Sequence, residues 1–570
     1  MRLTIIQNIF LFLLGFIIAA LAYMQIIRGD SYHDQSVSNR IRIVPADAPR
    51  GIIYDRNGVI IADNHLSFNV AVIPQDIDDQ KALFGFLGSV LKKDPEAMRK
   101  NYLRKKMTPF EPVTVAEDVD RRTLIYLEEN IFSYPGMEVY PHYERFYPFH
   151  ESGAHLLGYV AKIDPIEASV FSDYGYTALT VVGKAGVEKT YENYLQGIAG
   201  GKQIEVNSRG QQVRLLSTKE SIKGQDIQVT VDQRLQSRGS ALLQGNSGSI
   251  VVMDLSSGEI LALVNKPDYD PNIFASRDLK DRIEGLMKDP TSPLFNRAIS
   301  GQFPPGSVFK VPVALAALER NKVSVNSTYD CPGYFMLGKA KFGCAHVHAK
   351  VGLYDAIARS CNVYFFHIGQ LVTPSVIGAY AKAFGLGRMT GIDLPFEAKG
   401  KLIMPQQKKE GWFTGNTLNL SIGQGDTLAT PIQVTVMMAA VANNGIVLKP
   451  RVIKALASEE LPVLDLSKRP RIRLKDNSWN AVKKGMRMVV EDTEGTGYLL
   501  STIKNVDIWA KTGTAQAGRN QLNHAWFAGY LRSAKNNLAF CVFLEHGGSS
   551  ANAVAITKEL LQYMQNINVI

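Results

Sequence analysis

The chain has 570 residues, 46% of them hydrophobic, and a formal charge of +10. That length exceeds one ordinary domain, and so much apolar material excludes a disordered or fibrous protein and provides for a large core. The Lys and Arg residues are dispersed rather than run together with aromatics. This excludes a nucleic-acid binder and leaves an anionic membrane surface or substrate as the partner of the charge.

Ile9–Met24 carries no charge, and with its weakly polar flank the apolar run extends from Leu3 to Ile27. As a helix it spans ~30 Å of hydrocarbon. Arg2 and the amino terminus lie on one side, which predicts an N-in, C-out anchor. Ala20-Leu21-Ala22 offers an A-x-A cleavage pattern, so a signal peptide is the alternative. The apolar run continues through that pattern and favours the anchor. Either way, the remainder lies outside the cytoplasm. No later run is long and apolar enough to span again.

Asp55–Gly58 (DRNG) sits between two apolar β-type runs and predicts a hairpin turn. From there to about Gln225 the pattern is mixed. Ile77–Lys93 and Arg121–Phe132 read as helices, and His155–Val160 and Lys202–Val213 as strands and turns. A polar stretch ends at Gln225 and an alternating strand begins at Asp226. The organisation expected is therefore 1–28 as cytoplasmic tip and transmembrane anchor, 29–225 as a mixed α+β domain, and 226–570 as a second domain. In the latter, Ser247–Asp268 reads as strand, turn and strand. Ser307–Arg320 and Thr430–Gly445 read as helices, the second ending at its glycine. Asp507–Gln516, His524–Leu531 and Leu538–Gly547 read as strands, and Asn552–Gln565 as a closing helix. Strands at both ends and helices between predict an α/β domain whose sheet is built from its two ends.

The stretch Gly301–Lys310 (GQFPPGSVFK) stiffens the chain just before a serine and places a lysine three residues beyond it. Residues i and i+3 share a helix face. Ser307 and Lys310 would then stack at a first turn whose free N–H groups favour negative charge. Pro304 and Pro305 fix the approach, and Gly306 permits a sharp entry. A neutral Lys310 amine could take the proton of Ser307. The spacing alone carries little, since S-x-x-K occurs at Ser89, Ser307 and Ser501. The company of Ser307 carries more: Ser360-Cys361-Asn362 in a helical context, then Lys511-Thr512-Gly513-Thr514 in a strand context, the single K-T-G of the chain.

This ordered set resembles the penicillin-binding protein and serine β-lactamase superfamily. Pro49–Gly58, Gly183–Gly197, Thr230–Gln236 and Leu420–Gly425 followed by Thr430-Pro431 resemble further segments of class B penicillin-binding proteins, so the similarity runs over nearly the whole chain. No glycosyltransferase domain precedes them, which disfavours class A.

The resemblance implies a pedestal or dimerisation-type domain and a transpeptidase domain with an antiparallel sheet covered by helices. It implies a peptidoglycan D,D-transpeptidase, a target of β-lactams. Ser307 would attack the penultimate D-alanine carbonyl of a stem peptide, and an amine of a neighbouring stem would resolve the acyl-enzyme. Lys310 would be the general base, its pKa lowered by a second lysine, Lys511. Ser360 would relay a proton to the leaving group. Asn362 would bond substrate and Lys310. Lys511 and Thr512 would bind the terminal carboxylate, and Gly513 would admit the substrate backbone. The N–H groups of Ser307 and Thr514 would form the oxyanion hole.

Three of four cysteines crowd between the serine motifs: Cys331, Cys344 and Cys361, with His346 and His348. One disulfide plus a buried thiol is one reading; a Cys3His zinc site is the other. Cys541, in an apolar strand, reads as core. The region is similar to an insertion in elongation-type class B enzymes (the penicillin-binding protein 2 group), where a metal lies near the second motif. There the ligands include carboxylates, whose places Cys331 and Cys344 would take; His348 and Cys361 match by position. Asp330 and His346 remain alternative ligands. No organic cofactor is implied. The partners implied are lipid-linked precursor and stem peptides, a SEDS-family (RodA-like) membrane glycosyltransferase and other elongation-complex proteins. A division-type paralogue, a non-enzymatic β-lactam sensor or scaffold, and a hydrolytic β-lactamase are the rival readings. The last is disfavoured by the long pedestal and by the lack of a clear counterpart to the class A deacylating glutamate.

Overall fold

The computed structural model describes residues 2–30, 32, 41–106, 112–163, 181–206, 212–275, 280–408, 410–456, 459–460, 469, 471–518 and 520–570. The chain opens with a helix over Arg2–Ala22 that continues as one wider turn, Tyr23–Ile27. Ile5–Ile27 has a mean hydropathy of 2.5 and none of it is buried. Among the described residues it is the one helix long and apolar enough to cross a membrane. Its exposure fits a single-pass anchor.

Two compact units follow from the packing. The first comprises Met1–Gly51, Asn64–Glu144 and Gln196–Gly224; the second comprises Ile52–Asp63, Arg145–Leu195 and Gln225–Ile570. Compactness therefore does not follow a single cut at 225/226. Local hydrogen bonds give the reason. Asp226 accepts the N–H of Ile52 at 2.7 Å. Asp55, fully buried in the DRNG turn, accepts from Asn57 and Val59 and also from the N–H of Gln233 at 3.1 Å. Within the second unit, the motif thus ties the strand Ile53–Tyr54 and its turn to the segment that begins at Gln225.

In the first unit, Ile41–Ala46, Gly200–Val206 and Gln212–Lys219 form an antiparallel three-stranded sheet. The turn expected at 207–211 lies outside the described residues. Helices Gln80–Leu91, Pro95–Lys105 and Arg121–Glu129 cover a small core built on Val70, Val72, Phe84, Leu87, Tyr102 and Leu127. Asp79 and Asp94 cap the first two, each accepting two N–H bonds, an arrangement worth about 1 kcal/mol per helix. In the second unit, His155–Leu157, expected among strands and turns, lies instead in the short helix Ala154–Leu157, and the strand starts at Val160. Glycines at Gly153 and Gly158, both at positive φ, bound that single turn.

The second unit is built on a five-stranded antiparallel sheet: β1 (Ser247–Asp254), β2 (Ile260–Lys266), β3 (Asp507–Ala515), β4 (His524–Arg532) and β5 (Asn537–Glu545) in the order β2-β1-β5-β4-β3. The two ends of the domain make the sheet, as the sequence predicts. Cys541 pairs with Val251 inside it and is fully buried. The inserted block supplies helices α1 (Lys310–Glu319), α2 (Leu353–Ala358), α3 (Asn362–Val372), α4 (Thr414–Ser421) and α5 (Pro431–Ala442). Every residue of α5 is buried, and a reciprocal cap holds its start: Thr430 Oγ1 accepts from Gln433 N, and Gln433 Oε1 from Thr430 N. It ends at Ala442 with Asn443 as cap, three residues before the expected glycine.

Candidate active site

Ser307 lies in a 3-10 turn, Gly306–Phe309, and α1 proper begins only at Lys310. The expectation of an α-helical first turn is corrected. In a 3-10 turn residues i and i+3 eclipse, which stacks Ser307 over Lys310 more directly than an α-helix would. Gly306 has φ +55°, and a side chain there would come within 3.0 Å of the Thr514 carbonyl on β3. Glycine is thus required both by conformation and by the approach of the sheet. The N–H of Gly306 donates to Gly423 O at 2.9 Å, so the Leu420–Gly425 stretch braces the serine turn from behind. Trp526 Nε1 donates to Pro304 O at 2.9 Å and ties the proline approach to β4.

The Lys310 amine is fully buried and donates to Ser360 O at 2.8 Å, Asn362 Oδ1 at 2.6 Å and Ser360 Oγ at 3.3 Å. Burial pulls its pKa down to about 8, against the opposing influence of the nearby Cys344 and Cys361 sulfurs. Lys511, also fully buried, is held well below the ordinary lysine range by burial and then by the charge of Lys310. Like-charge repulsion was expected to lower Lys310; it acts instead on Lys511, and burial lowers Lys310. The Lys511 amine donates to Thr512 O at 3.1 Å. Gly513 pairs with Trp526, and a side chain at 513 would lie 3.0 Å from Pro305 O.

Ser360 has φ +60°, and Cys361 is the extended residue that caps α3. Asn362 then opens that helix with its Nδ2 donating to Gly343 O at 3.1 Å. Its backbone N–H donates to Cys344 Sγ at 3.2 Å. The ligand atoms of Cys331, Cys344, His348 and Cys361 lie within 4.8 Å of one another. His348 Nδ1 is 3.4 Å from Cys331 Sγ and 3.6 Å from Cys344 Sγ. Sulfurs and nitrogen at such spacings fit the edges of a tetrahedron around one ion. His346 and Asp330 are not in the group, and all four cysteines are free thiols, which sets the disulfide reading aside. Cys331 and Cys361 are buried and Cys344 is half-buried. Cys361 beside it and backbone N–H groups pull the Cys344 thiol down, while Cys361 is pushed up in return.

The two other S-x-x-K matches lack any such setting. Ser89 is exposed on a helix and bonds Phe86 O; the Lys504 amine donates to the Ser501 carbonyl. One residue escaped sequence reasoning. Thr496 Oγ1 lies 2.7 Å from Thr512 Oγ1 and 3.2 Å from Ala358 O, and Thr496 N also donates to Ala358 O. Arg359 and Glu494 form an ion pair beside it. This loop bridges the turn carrying Ser360 to the strand carrying Thr512. Its only sequence signal is a threonine between two glycines, Gly495 and Gly497.

Residues 248–562 match the penicillin binding protein transpeptidase domain, and residues 45–229 the penicillin-binding protein dimerisation domain. Peptidoglycan D,D-transpeptidase MrdA of Haemophilus influenzae is 31% identical over 98% of this chain and 90% of its own length. MrdA of Escherichia coli is 31% identical over 97% of this chain and 92% of its own length. The Helicobacter pylori penicillin-binding protein PBP2, solved in complex with MreC, superposes with a TM-score of 0.82 at 27% identity, covering 93% of this chain and 100% of that one. Pseudomonas aeruginosa PBP2 in complex with WCK 5153 gives 0.70 at 29% identity, covering 91% and 96%. With a family match over residues 248–562 and relatives and solved structures that agree with it along nearly their full length, the chain belongs to the penicillin-binding protein transpeptidase family.

Proposed function

We propose that the protein is an elongation-type peptidoglycan D,D-transpeptidase that cross-links stem peptides through an acyl-serine intermediate. The observation that carries this is the buried Lys310 amine, which bonds both Ser360 and Asn362 one turn from Ser307. A neutral amine has two N–H bonds and one lone pair. The Ser360 carbonyl and Asn362 Oδ1 take the two N–H bonds, and the lone pair is left for a hydroxyl. Lys310 then accepts the Ser307 proton, and Ser360 returns it to the departing D-alanine. Opposite, Lys511 and Thr512 receive the substrate carboxylate; the arriving negative charge restores the charge on Lys511 that burial suppresses. The Ser307 and Thr514 N–H groups hold the oxyanion, where losing one donor costs about 3 kcal/mol.

Cys331, Cys344, His348 and Cys361 would hold zinc, which suits three soft thiolates and one imidazole. With four protein ligands the ion supplies structure and no open position for chemistry. The N-terminal helix anchors the protein in the cytoplasmic membrane, its N-terminus inside and both domains on the periplasmic face. Residues 29–225 act as a pedestal and 226–570 as the transpeptidase. The pedestal and anchor meet a RodA-like SEDS glycosyltransferase and elongation-complex proteins; a related structure holds MreC, and another is described as a peptidoglycan synthase complex. Labelled penicillin followed by mass spectrometry tests the core of this reading. A stable adduct on Ser307, absent in Ser307→Ala, supports it, and rapid hydrolytic turnover makes the protein a lactamase. Cross-linked product from lipid-linked substrate then distinguishes an enzyme from a drug-binding scaffold.

A further inference from the structure

The four-residue cluster contains more than a metal set. Three thiols lie within 4.8 Å of one another, and two of them bear directly on the catalytic loop. Cys361 stands between Ser360 and Asn362. Cys344 accepts the backbone N–H of Asn362 at 3.2 Å, and the side chain of that same Asn362 holds the Lys310 amine at 2.6 Å. Cys344 is the half-buried member, while Cys331 and Cys361 are buried.

We infer that Cys344 and Cys361 form an oxidation site: once the cluster loses its metal, a peroxide joins them in a disulfide that shuts down acylation. The inference rests on reading the cluster as a metal site, since an ion shared by the thiolates blocks the same sulfur lone pairs that attack an oxidant.

The chemistry balances as follows. The Cys344 thiolate attacks one oxygen of hydrogen peroxide; an S–O bond forms, the O–O bond breaks and hydroxide leaves. The Cys361 sulfur then attacks the Cys344 sulfenic sulfur; an S–S bond forms, the S–O bond breaks and the oxygen departs as water with the Cys361 proton. Two thiols lose two electrons and two protons, and peroxide is reduced to two waters. The product removes two ligands of four, so metal cannot rebind. It also turns the Cys344 sulfur from the Asn362 N–H toward Cys361, so the first turn of α3 moves and takes Asn362 Oδ1 off Lys310.

The full-length protein in detergent is assayed in two forms, as purified with its zinc counted by elemental analysis, and stripped by a chelator. Each is exposed to hydrogen peroxide, then followed by non-reducing peptide mapping, thiol titration, zinc release to a chromophoric chelator and penicillin acylation. The stripped form should lose two thiols, yield a Cys344–Cys361 disulfide and acylate about 10-fold more slowly or worse, the scale expected when a group that orients a functional side chain is lost. Dithiothreitol plus zinc should reverse all of these. The zinc-loaded form should oxidise only as zinc is released, and Cys541, buried in the sheet, should stay reduced throughout. The inference is overturned by a stripped protein that keeps its thiols, by a disulfide that involves Cys331 instead, or by a Cys344–Cys361 disulfide that leaves acylation intact. Protein that purifies without zinc yet forms the disulfide refutes the metal reading and leaves the oxidation site standing. Zinc-bearing protein whose stripped form does not oxidise does the reverse.

Discussion

The two walls of the pocket are held by different means. The wall bearing Lys511, Thr512 and Gly513 is a sheet strand, paired residue for residue with β4 from Asp507 to Ala515. Its geometry is fixed by ladder hydrogen bonds that no single side chain controls. The wall bearing Ser360 and Asn362 is a loop. It turns on a non-glycine residue at φ +60°, and its helix is capped by a cysteine with no capping side-chain bond. It is secured by side chains: Lys310, the thiol of Cys344, and Thr496 reaching across to Thr512. A strained loop persists only where its surroundings over-determine it. The sheet wall should therefore tolerate side-chain substitution in its supports, and the loop wall should not.

The sharpest way to break this contrast is Lys310→Ala, which removes both the proposed base and the post on which Ser360 and Asn362 hang. Acylation should fall by about 10²–10⁴-fold, the range for general acid–base groups, in a penicillin-labelling time course. In the parent protein, acylation should rise with pH up to about 8, where the buried amine sheds its proton. The unfolded chain holds that proton up to about 10.5, so between 8 and 10.5 it binds more protons than the folded chain. This group's contribution to stability therefore rises with pH across that window. An acylation rate flat from pH 6 to 9 (roughly, the span around a lysine lowered by burial) would remove Lys310 from the base role.

Cys361→Ser comes next. It should slow acylation by about 10–100-fold and lower Tm together, because Cys361 belongs both to the proposed metal site and to the loop. Intact acylation after chelation, with metal loss proven by elemental analysis, would mean the loop holds itself. A smaller effect belongs to Thr496→Val. Losing its bond to Thr512 should cost about 1–1.5 kcal/mol, near tenfold in kcat/KM, for substrates with a free carboxylate. Their amides should be unaffected, and Thr496→Ser should restore the loss. Equal loss for both substrates would make Thr496 merely structural. The smallest effect lies outside the pocket: Asp79→Ala should destabilise its helix by about 1 kcal/mol in thermal unfolding and leave acylation unchanged.

Much of this site was legible because its chemistry is local. Pro304 to Lys310 is one short continuous run, Cys361 and Asn362 are adjacent, and Lys511 to Thr514 lies on one strand. Order along the chain then singled out Ser307 from Ser89 and Ser501. What the sequence could not show was contact between separate segments. Gly423 behind Gly306 and Thr496 against Thr512 carry no pattern of their own. The direction of the lysine repulsion was misjudged for the same reason: burial depth is a property of the packed domain, and it outweighs a neighbouring charge.

By itself, then, the amino-acid order predicted the long apolar N-terminal helix, most of the strands and helices, and the residues proposed for acyl transfer, since periodicity, turn chemistry and short motifs are properties of neighbouring residues. Tertiary structure alone decided that Ser307 sits in a 3-10 turn and that both lysines are dry. Those outcomes depend on which distant surfaces exclude water and which side chains they leave facing one another.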